Sequence, residues 1–295
     1  MYDISVYIMT YNRPGYIMRS INSVLAQTYH DFNLIVSDNS TNDETKHIIE
    51  KANIEDSRFI YKKREKTLPG IVHFNTIHEE ASSQYYMIFH DDDEMLPNMV
   101  EELYKAIREN NDIVAVGAYA YIVKYRKQIA PKIPQFKEIL NTPIAIIEKY
   151  SSGRSNASFP SYMYNKKLLK QRQLWKNGGK YSDCSFIVSL TMDGIVVHVS
   201  QLLMKTTIHG EQDSQDHQFS QYLTLIKYLR NIIGKKDIDK IAYMRVFNIY
   251  NEWVLRNKEK KTPYYNKRLY FLFLKYSSTN FFPKYIIRKL RLYNK

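Results

Sequence analysis

The chain has 295 residues, of which 44% are hydrophobic, enough for one large domain with a buried core or one domain with an appendage. Its single cysteine, Cys184, excludes an internal disulfide framework. The net charge of +13 is uneven, because the segment from Arg256 to the last residue holds twelve Lys or Arg and one acid and leaves only about +2 for the first 255 residues. This distribution predicts a basic tail with a partner of its own.

Over the first 125 residues, short apolar runs alternate with amphipathic segments. The runs predict strands at residues 4–9, 32–37, 58–61, 85–89 and 113–123, and the amphipathic segments predict helices at residues 14–27, 43–51, 70–82 and 97–108. Pro14 suits the first turn of its helix, and Ser40-Thr41 is a candidate cap for the next. This alternation predicts a mostly parallel sheet with helices on both faces.

The pattern loosens after residue 130, where four prolines mark loops. Residues 183–190 predict a short helix and residues 195–208 one or two strands. From about residue 215 the sequence predicts helices rich in Tyr and Lys. We therefore predict two parts, a domain of residues 1–215 and a basic, aromatic-rich helical region of residues 216–295. The apolar start at residue 4, and apolar runs that stay short of about 18 residues, argue against a secretory signal and a membrane-spanning helix.

An acidic run, Asp91-Asp92-Asp93, directly follows the fourth predicted strand. Ligands of open parallel sheets bind at the carboxyl ends of the strands. Crowded carboxylates repel one another unless a cation is present, and such oxygen ligands suit Mg²⁺ or Mn²⁺. The run therefore indicates a metal site, although a solvated acidic turn before the next helix explains it equally well on its own.

Polar clusters also follow the first two predicted strands. Thr10-Tyr11-Asn12-Arg13 offers a ring for base stacking, and residues 37–43 include Asp38, an acceptor for a base or a ribose. Each cluster alone is typical of an ordinary turn. Three clusters at three strand ends on one edge of a sheet indicate a nucleotide site far more specifically.

Residues 4–13, 34–45 and 86–97 together resemble the inverting family 2 glycosyltransferases with the GT-A fold, whose motifs they match in order and spacing. The resemblance is close over residues 1–125 and fainter to about 215. It implies a Rossmann-like, mostly parallel sheet flanked by helices, here with a C-terminal helical extension. It also implies transfer of a sugar from a nucleotide-diphosphate sugar, with UDP as the expected nucleotide and Mn²⁺ or Mg²⁺ as the cofactor.

The resemblance also assigns roles to individual residues. The expected donor nucleotide-binding residues are Thr10, Tyr11, Arg13, Asp38, Asn75, Asp91 and Asp92. The expected metal ligands are Asp93, Asp91 and His209. Phe74 stands where the family usually has an Arg before Asn75, and His90 fits a His-Asp-Asp-Asp form of the acidic motif.

The expected catalytic base is Asp183, because residues 178–183 resemble the family's glycine turn followed by an acidic pair. Only the second acid of that pair is present, since Ser182 replaces the first. In the implied reaction Asp183 takes the proton of an acceptor hydroxyl, and direct displacement inverts the anomeric carbon. A plain helix N-cap remains the alternative for Asp183, and a loop histidine the alternative for His209.

The basic tail interleaves aromatic residues with Lys and Arg, which suits an anionic membrane surface. A small helical subdomain or a homo-oligomer contact explains the same residues. We expect a glycan or lipid-linked acceptor, no nucleic-acid partner, and a peripheral position on the inner, cytoplasmic face of a bacterial plasma membrane, in lipopolysaccharide or capsule synthesis.

Two other classes of protein compete with this interpretation. A nucleic-acid-binding protein would explain the tail but not the strand-end clusters. A nucleotidyltransferase would normally show a Gly-rich phosphate loop, which the sequence lacks.

Overall fold

The computed structural model describes residues 2–151, 155–170, 172–175 and 181–209, with single residues at 225, 228, 229 and 231. The predicted glycine turn at 178–179 and the predicted boundary near 215 therefore lie outside the described residues, and so does the predicted helical region of 216–295 apart from those four single residues. The chain divides into two compact units, Met1–Ile146 with Ser155–Leu225, and Ile147–Arg154 with Ile226–Lys295. The sheet and every candidate site residue belong to the first unit.

Ten strands of the described residues form one sheet. They are β1 (Ile4–Thr10), β2 (Phe32–Asp38), β3 (Phe59–Lys63), β4 (Tyr85–His90), β5 (Glu94–Met95), β6 (Ile113–Lys124), β7 (Lys127–Ile129), β8 (Glu138–Leu140), β9 (Met163–Asn165) and β10 (Ile195–Ile208). The helices are α1 (Pro14–Leu25), α2 (Glu44–Ala52), α3 (Gly70–Glu80), α4 (Met99–Ile107), α5 (Pro143–Ser151) and α6 (Ser182–Leu190), with a 3₁₀ turn at Phe159–Ser161. Within this part of the chain every helix is too short or too polar to span a bilayer.

The strand order is β3-β2-β1-β4-β9-β6-β10-β5, with β7 paired to β6 and β8 to β10. β3, β2, β1 and β4 run parallel, and β6 runs parallel to β10. The short strand β9 lies antiparallel between β4 and β6. The sheet is therefore mixed but mostly parallel, as predicted, and the carboxyl ends of its long strands share one edge.

The two faces of the sheet bury different kinds of side chain. On one face, alternate aliphatic residues of β1 pack against the buried side of α1 and α4, formed by residues such as Ile17, Ile21 and Leu103. Each such side chain contributes about 1.5–3 kcal/mol when fully buried. The other face is aromatic, with the Tyr86 ring 5.3 Å from Tyr164 and the Phe74 ring 5.7 Å from Phe186 of α6. This aromatic layer brings α6 to the sheet.

Two local predictions are wrong. Asp43, not Ser40-Thr41, stands at the N-cap of α2, because the Ser40 hydroxyl and the Thr41 amide instead bind Asn12. The first helix ends at Leu25, and Gln27 lies beyond it. The Gln27 amide donates to Leu96 O and accepts from Val100 N, which ties the end of α1 to the start of α4.

The structure also adds elements that the sequence pattern did not reveal. β5, β7, β8 and β9 are two or three residues long, too short to show a periodicity. Residues 195–208 form one strand, and its register against β6 shifts at three places.

Candidate active site

The ends of β1, β2 and β4 meet at the carboxyl edge of the sheet. In the parallel register Thr10 lies beside Asp38, and Met9 lies beside His90. The residues that follow these strands are therefore brought together, as the sequence predicted.

Asp91 is buried, and its carboxylate contacts a hydroxyl and a guanidinium from the end of β1. Thr10 Oγ1 donates to Asp91 Oδ2 at 2.7 Å, and Arg13 Nη1 lies 3.3 Å from Asp91 Oδ1. Burial still raises the pKa of Asp91, because the hydrogen bond from Thr10 and the charge of Arg13 offset it only in part. Thr10, Arg13 and Asp91, all predicted donor-site residues, thus form one connected group.

Asp92 carries the densest set of positive partners. Its Oδ2 accepts from Arg13 Nη1 at 3.0 Å and from His209 Nε2 at 2.9 Å. Burial alone would raise its pKa, but His90, His209 and Arg13 together lower it. His209 is thereby placed in the site, 117 residues away from Asp92 in the sequence.

Asp93 has fewer partners than Asp92 and a higher electrostatic cost. Its Oδ1 accepts from the Thr207 backbone N–H at 3.2 Å, at the end of β10. Burial, followed by the charges of Asp92 and Asp91, raises the pKa of Asp93 well above its ordinary value. Such crowded, desolvated carboxylates are stabilised by a cation.

The side chains of His90, Asp92 and Asp93 can together hold a metal ion. One ligand atom from each lies within 4.8 Å of the others. Two carboxylates and an imidazole fit a divalent cation such as Mn²⁺ or Mg²⁺. His90, for which no ligand role was predicted, joins this group as the last residue of β4. Of the predicted metal ligands, Asp93 lies in the group, Asp91 does not, and His209 contacts the group through Asp92.

Two further residues reach the site from α1. Arg19 Nη2 donates to the Asp92 backbone carbonyl at 2.7 Å and to Thr207 Oγ1 at 3.0 Å. The Tyr16 ring stacks on His209 with centroids 4.8 Å apart. Tyr16 and Arg19 are three residues apart on one face of α1, and Arg13 is the N-cap of the same helix, a spacing that could have indicated their common position.

The β2 end is ordered by its own hydrogen bonds. Asp38 is fully buried, and its carboxylate accepts from Ser40 N at 2.8 Å and from Tyr61 Oη at 2.6 Å. Each carboxylate oxygen has a second acceptor site, so these bonds leave capacity for a ligand donor. Tyr11 is half exposed, so its ring is accessible to a ligand.

Asn75 lies apart from the acidic cluster. Its amide donates to Leu174 O at 3.1 Å and accepts from Leu174 N at 2.8 Å, a pairing across 99 residues. No hydrogen bond within the described residues joins it to the strand-end groups. Its predicted role in nucleotide binding stays a prediction, and what the structure shows is a bridge to the segment before α6.

Asp183 lies in the first turn of α6, one position past the start of the helix, and Tyr181 is the N-cap. Its Oδ1 accepts from Cys184 N at 2.7 Å. Burial raises the pKa of Asp183 to about 6. A ring contact chain runs from His90 to Phe159 at 6.4 Å and from Phe159 to Phe186 of α6 at 6.4 Å. The helix of Asp183 therefore packs on the same sheet face as His90.

The sequence model of glycosyl transferase family 2 matches residues 5–187, which contain the polar groups after β1, β2 and β4 and also Asp183. The chain belongs to glycosyl transferase family 2. It is therefore a glycosyltransferase of class EC 2.4 and not a nucleotidyltransferase.

Two curated relatives illustrate the range of the family. The chain is 32% identical to an uncharacterized glycosyltransferase of Methanocaldococcus jannaschii over 174 residues, 57% of each protein. It is 29% identical to a GalNAc(5)-diNAcBac-PP-undecaprenol beta-1,3-glucosyltransferase of Campylobacter jejuni over 111 residues, 37% of this chain and 36% of that enzyme. The chain thus matches little more than half of the length of the first relative and about a third of the second.

Solved structures share the fold. TarS 1-349 of S. aureus in complex with UDP-GlcNAc aligns with a TM-score of 0.63 at 19% identity, over 92% of this chain and 79% of that one. The mannosyltransferase PcManGT of Pyrobaculum calidifontis, in complex with GDP-Man and Mn²⁺, aligns with a TM-score of 0.56 at 12% identity, over 86% and 72%. The predicted GT-A fold is confirmed for the described part of the chain.

Proposed function

We propose that this transferase is an inverting, metal-dependent enzyme that moves a sugar from a UDP-sugar to a glycan or lipid-linked acceptor. The observation that carries the proposal is the group of His90 with the buried Asp92 and Asp93 at the carboxyl edge of the sheet. TarS and PcManGT, which share the fold, were solved with a UDP-sugar and with Mn²⁺, respectively.

The donor set of this group fits a divalent cation. His90, Asp92 and Asp93 would hold the ion, with Asp91 as a further carboxylate and His209 held against Asp92 at 2.9 Å. When bound, Mn²⁺ or Mg²⁺ supplies a Lewis acid for the negative charge that gathers on the departing diphosphate. The raised pKa of Asp93 supports this assignment, because burial and two neighbouring carboxylates disfavour its charge and a bound cation would favour it.

The cationic side chain at the N-cap of α1, Arg13, complements that role. Arg13 contacts both Asp91 and Asp92. A guanidinium binds phosphate oxygens as well as carboxylates, so Arg13 would turn to the donor diphosphate once a cation takes its place on the acids. Tyr11 would stack on the base and Asp38 would accept from it.

Asp183 would act as the base of the transfer. The acceptor oxygen forms a bond to the anomeric carbon, the bond to the diphosphate oxygen breaks with its electron pair on the leaving group, and the acceptor proton passes to the Asp183 carboxylate. A carboxyl whose pKa is about 6 is ionised at neutral pH yet basic enough to take a proton. Attack opposite the leaving group inverts the anomeric carbon, and one base suffices.

The setting we propose is the assembly of a bacterial surface polysaccharide, such as lipopolysaccharide or capsule, on the inner face of the plasma membrane. The name of the C. jejuni relative includes a PP-undecaprenol acceptor. The basic tail from Arg256 onward suits an anionic membrane surface, and contact between copies of the chain through the same aromatic residues is the other use we propose for it.

A thermal-shift screen of UDP-, GDP- and dTDP-sugars, with Mn²⁺, Mg²⁺ or EDTA, tests the donor and the metal together. A donor at 100 times its Kd stabilises the folded protein by about 2.7 kcal/mol, which raises Tm measurably. We expect a UDP-sugar to raise Tm with Mn²⁺ and to lose most of that effect in EDTA. Equal stabilisation in EDTA would refute metal dependence, and stabilisation by none of the donors would refute the donor class.

A further inference from the structure

A β-hairpin at the end of β6 presents basic and apolar side chains to solvent. Lys124 pairs with Lys127 and Ile122 with Ile129 across β6 and β7, so residues 122–129 form a hairpin with a two-residue turn. Tyr125 is 86% exposed and Ile129 52% exposed. Soluble proteins seldom expose large apolar side chains together unless a partner covers them.

The backbone of the turn is strained for the residues that occupy it. Tyr125 and Arg126 have φ angles of 49° and 62°. Two successive positive φ angles define a type I′ turn, which strongly prefers Asn-Gly. A bulky aromatic and an arginine there oppose the preference of the turn, and such departures are typical of residues kept for a function.

The charge of the segment has one sign. From residue 113 to 137 the chain has five Lys or Arg and no acid. Lys124, Arg126 and Lys127 form no ion pair with any described residue, and the Lys124 ammonium lies 5.2 Å from the centre of the Tyr125 ring. The hairpin therefore complements an anionic partner.

The hairpin also lies at the active-site edge of the sheet. β6 and β10 run parallel, and Lys124 lies beside Ile208, which is 37% exposed. His209, the next residue, contacts Asp92. Whatever binds the hairpin is therefore held beside the strand end that completes the donor site.

We infer that residues 122–129 dock the enzyme on the surface of an anionic lipid bilayer. The mixture of exposed Tyr and Ile with Lys and Arg matches the two layers of such a surface, where apolar side chains enter the acyl boundary and cations meet the headgroups. A soluble polyanion would be recognised by the cations alone and would leave Tyr125 and Ile129 uncovered. This site is separate from the basic tail and rests on neither the metal nor the base assignment.

The test is binding of the full chain, without donor, to vesicles of phosphatidylglycerol and phosphatidylcholine, to phosphatidylcholine alone, and to polyphosphate. Tyr125→Asn with Arg126→Gly gives the turn its preferred sequence while removing a ring and a charge, so the fold is kept. Since each basic side chain near the surface gives roughly a fivefold gain, we expect about tenfold weaker binding to the anionic vesicles. The matched control, Lys51→Gln with Ile60→Asn, removes an exposed charge and an exposed apolar side chain near β3, at the far end of the strand order, and should bind like the wild type.

A second readout reports insertion directly. Cys184 is buried, so a Tyr125→Cys variant can be labelled at residue 125 with an environment-sensitive dye. Its emission should shift to the blue on anionic vesicles and not on polyphosphate. Unchanged vesicle binding by the turn variant, or loss of polyphosphate binding with no dye shift on vesicles, would overturn the inference, the second result assigning the hairpin to a soluble polyanion.

Discussion

The carboxylate of Asp93, after β4, and the carboxylate of Asp183 are both desolvated and both have a raised pKa, but the causes of the two shifts differ. Burial and the charges of two neighbouring carboxylates raise the pKa of Asp93. Burial alone raises the pKa of Asp183, and hydrogen bonds from backbone N–H groups lower it in part. A cation relieves the first cost and a proton relieves the second.

The hydrogen-bond partners of the two carboxylate sites also differ, because those of Asp92 are cationic or imidazole side chains and that of Asp183 is a backbone N–H. Asp92 lies within 3.0 Å of Arg13 and 2.9 Å of His209. The hydrogen bond to the Asp183 carboxylate comes from the backbone N–H of Cys184. In the proposed mechanism, one active site stabilises the leaving group at one carboxylate cluster and takes a proton at another carboxylate, because their surroundings separate the two tasks.

The largest expected effect is on the proton-taking side. Asp183→Asn keeps the size of the side chain and its bond to Cys184 N but removes the base, so we expect sugar transfer to fall about 10²–10⁴-fold. The Kd of the UDP-sugar should stay unchanged. Product formation in a coupled assay and donor titration measure the two quantities.

The exposed Asp112 provides a matched control for that variant. Asp112→Asn makes the same chemical change outside the site and should leave both quantities unaltered. Near wild-type transfer by Asp183→Asn would assign the base to another residue, and the contrast between the carboxylates after β4 and Asp183 would then not explain catalysis.

A smaller effect is expected at the metal side. Asp93→Asn removes a proposed ligand of the cation that would stabilise the negative charge on the departing diphosphate. We expect transfer to fall about 10²–10³-fold, the range for loss of one preorganised electrostatic group. The same change should raise the Tm of the metal-free protein, because a buried carboxylate that is costly to ionise has gone. It should also abolish the Tm increase on adding Mn²⁺.

Asp31→Asn, at an exposed acid before β2, is the control for the metal side. It should keep both the activity and the response to Mn²⁺. A metal-free Tm lowered by Asp93→Asn would mean that Asp93 stabilises the fold as an ionised acceptor for Thr207 N, and that the site needs no cation.

The sequence was sufficient for the strand ends because each is marked locally. Thr10, Asp38 and Asp91 follow apolar runs, and parallel pairing brings such ends to one edge whatever the loops do. The long strands and helices before residue 125 were predicted for the same reason, since each contains its own periodicity.

Contacts between distant segments could not be predicted from local pattern. Arg19 meets Thr207 across 188 residues, and this contact depends on where β10 joins the sheet. β9 has three residues and no periodicity, yet it inserts between β4 and β6. Asn75 and Gln27 pair with distant backbone groups, and nothing in their local sequence distinguishes them from surface amides.

The smallest expected effect is the pH dependence that the Asp183 carboxyl gives to kcat and to stability. It tests whether Asp183 takes a proton, in contrast to the carboxylates that would bind a cation. With a pKa of about 6 in the folded protein, the base is lost as pH falls, so kcat should drop about tenfold per pH unit well below 6, and the Kd of the donor should not show this pH dependence.

The contribution of Asp183 to stability changes with pH in the opposite direction, because it falls as pH rises. The folded pKa lies above the ordinary value of 3.8, so the folded state holds the proton more tightly, and ionised Asp183 destabilises the fold as pH rises from about 4 to about 6. The gain in unfolding free energy of Asp183→Asn over wild type should therefore grow across that window and level off above it, as urea unfolding at several pH values would show. A constant difference between the two proteins would mean that Asp183 has an ordinary pKa and is not set up to take a proton near neutrality.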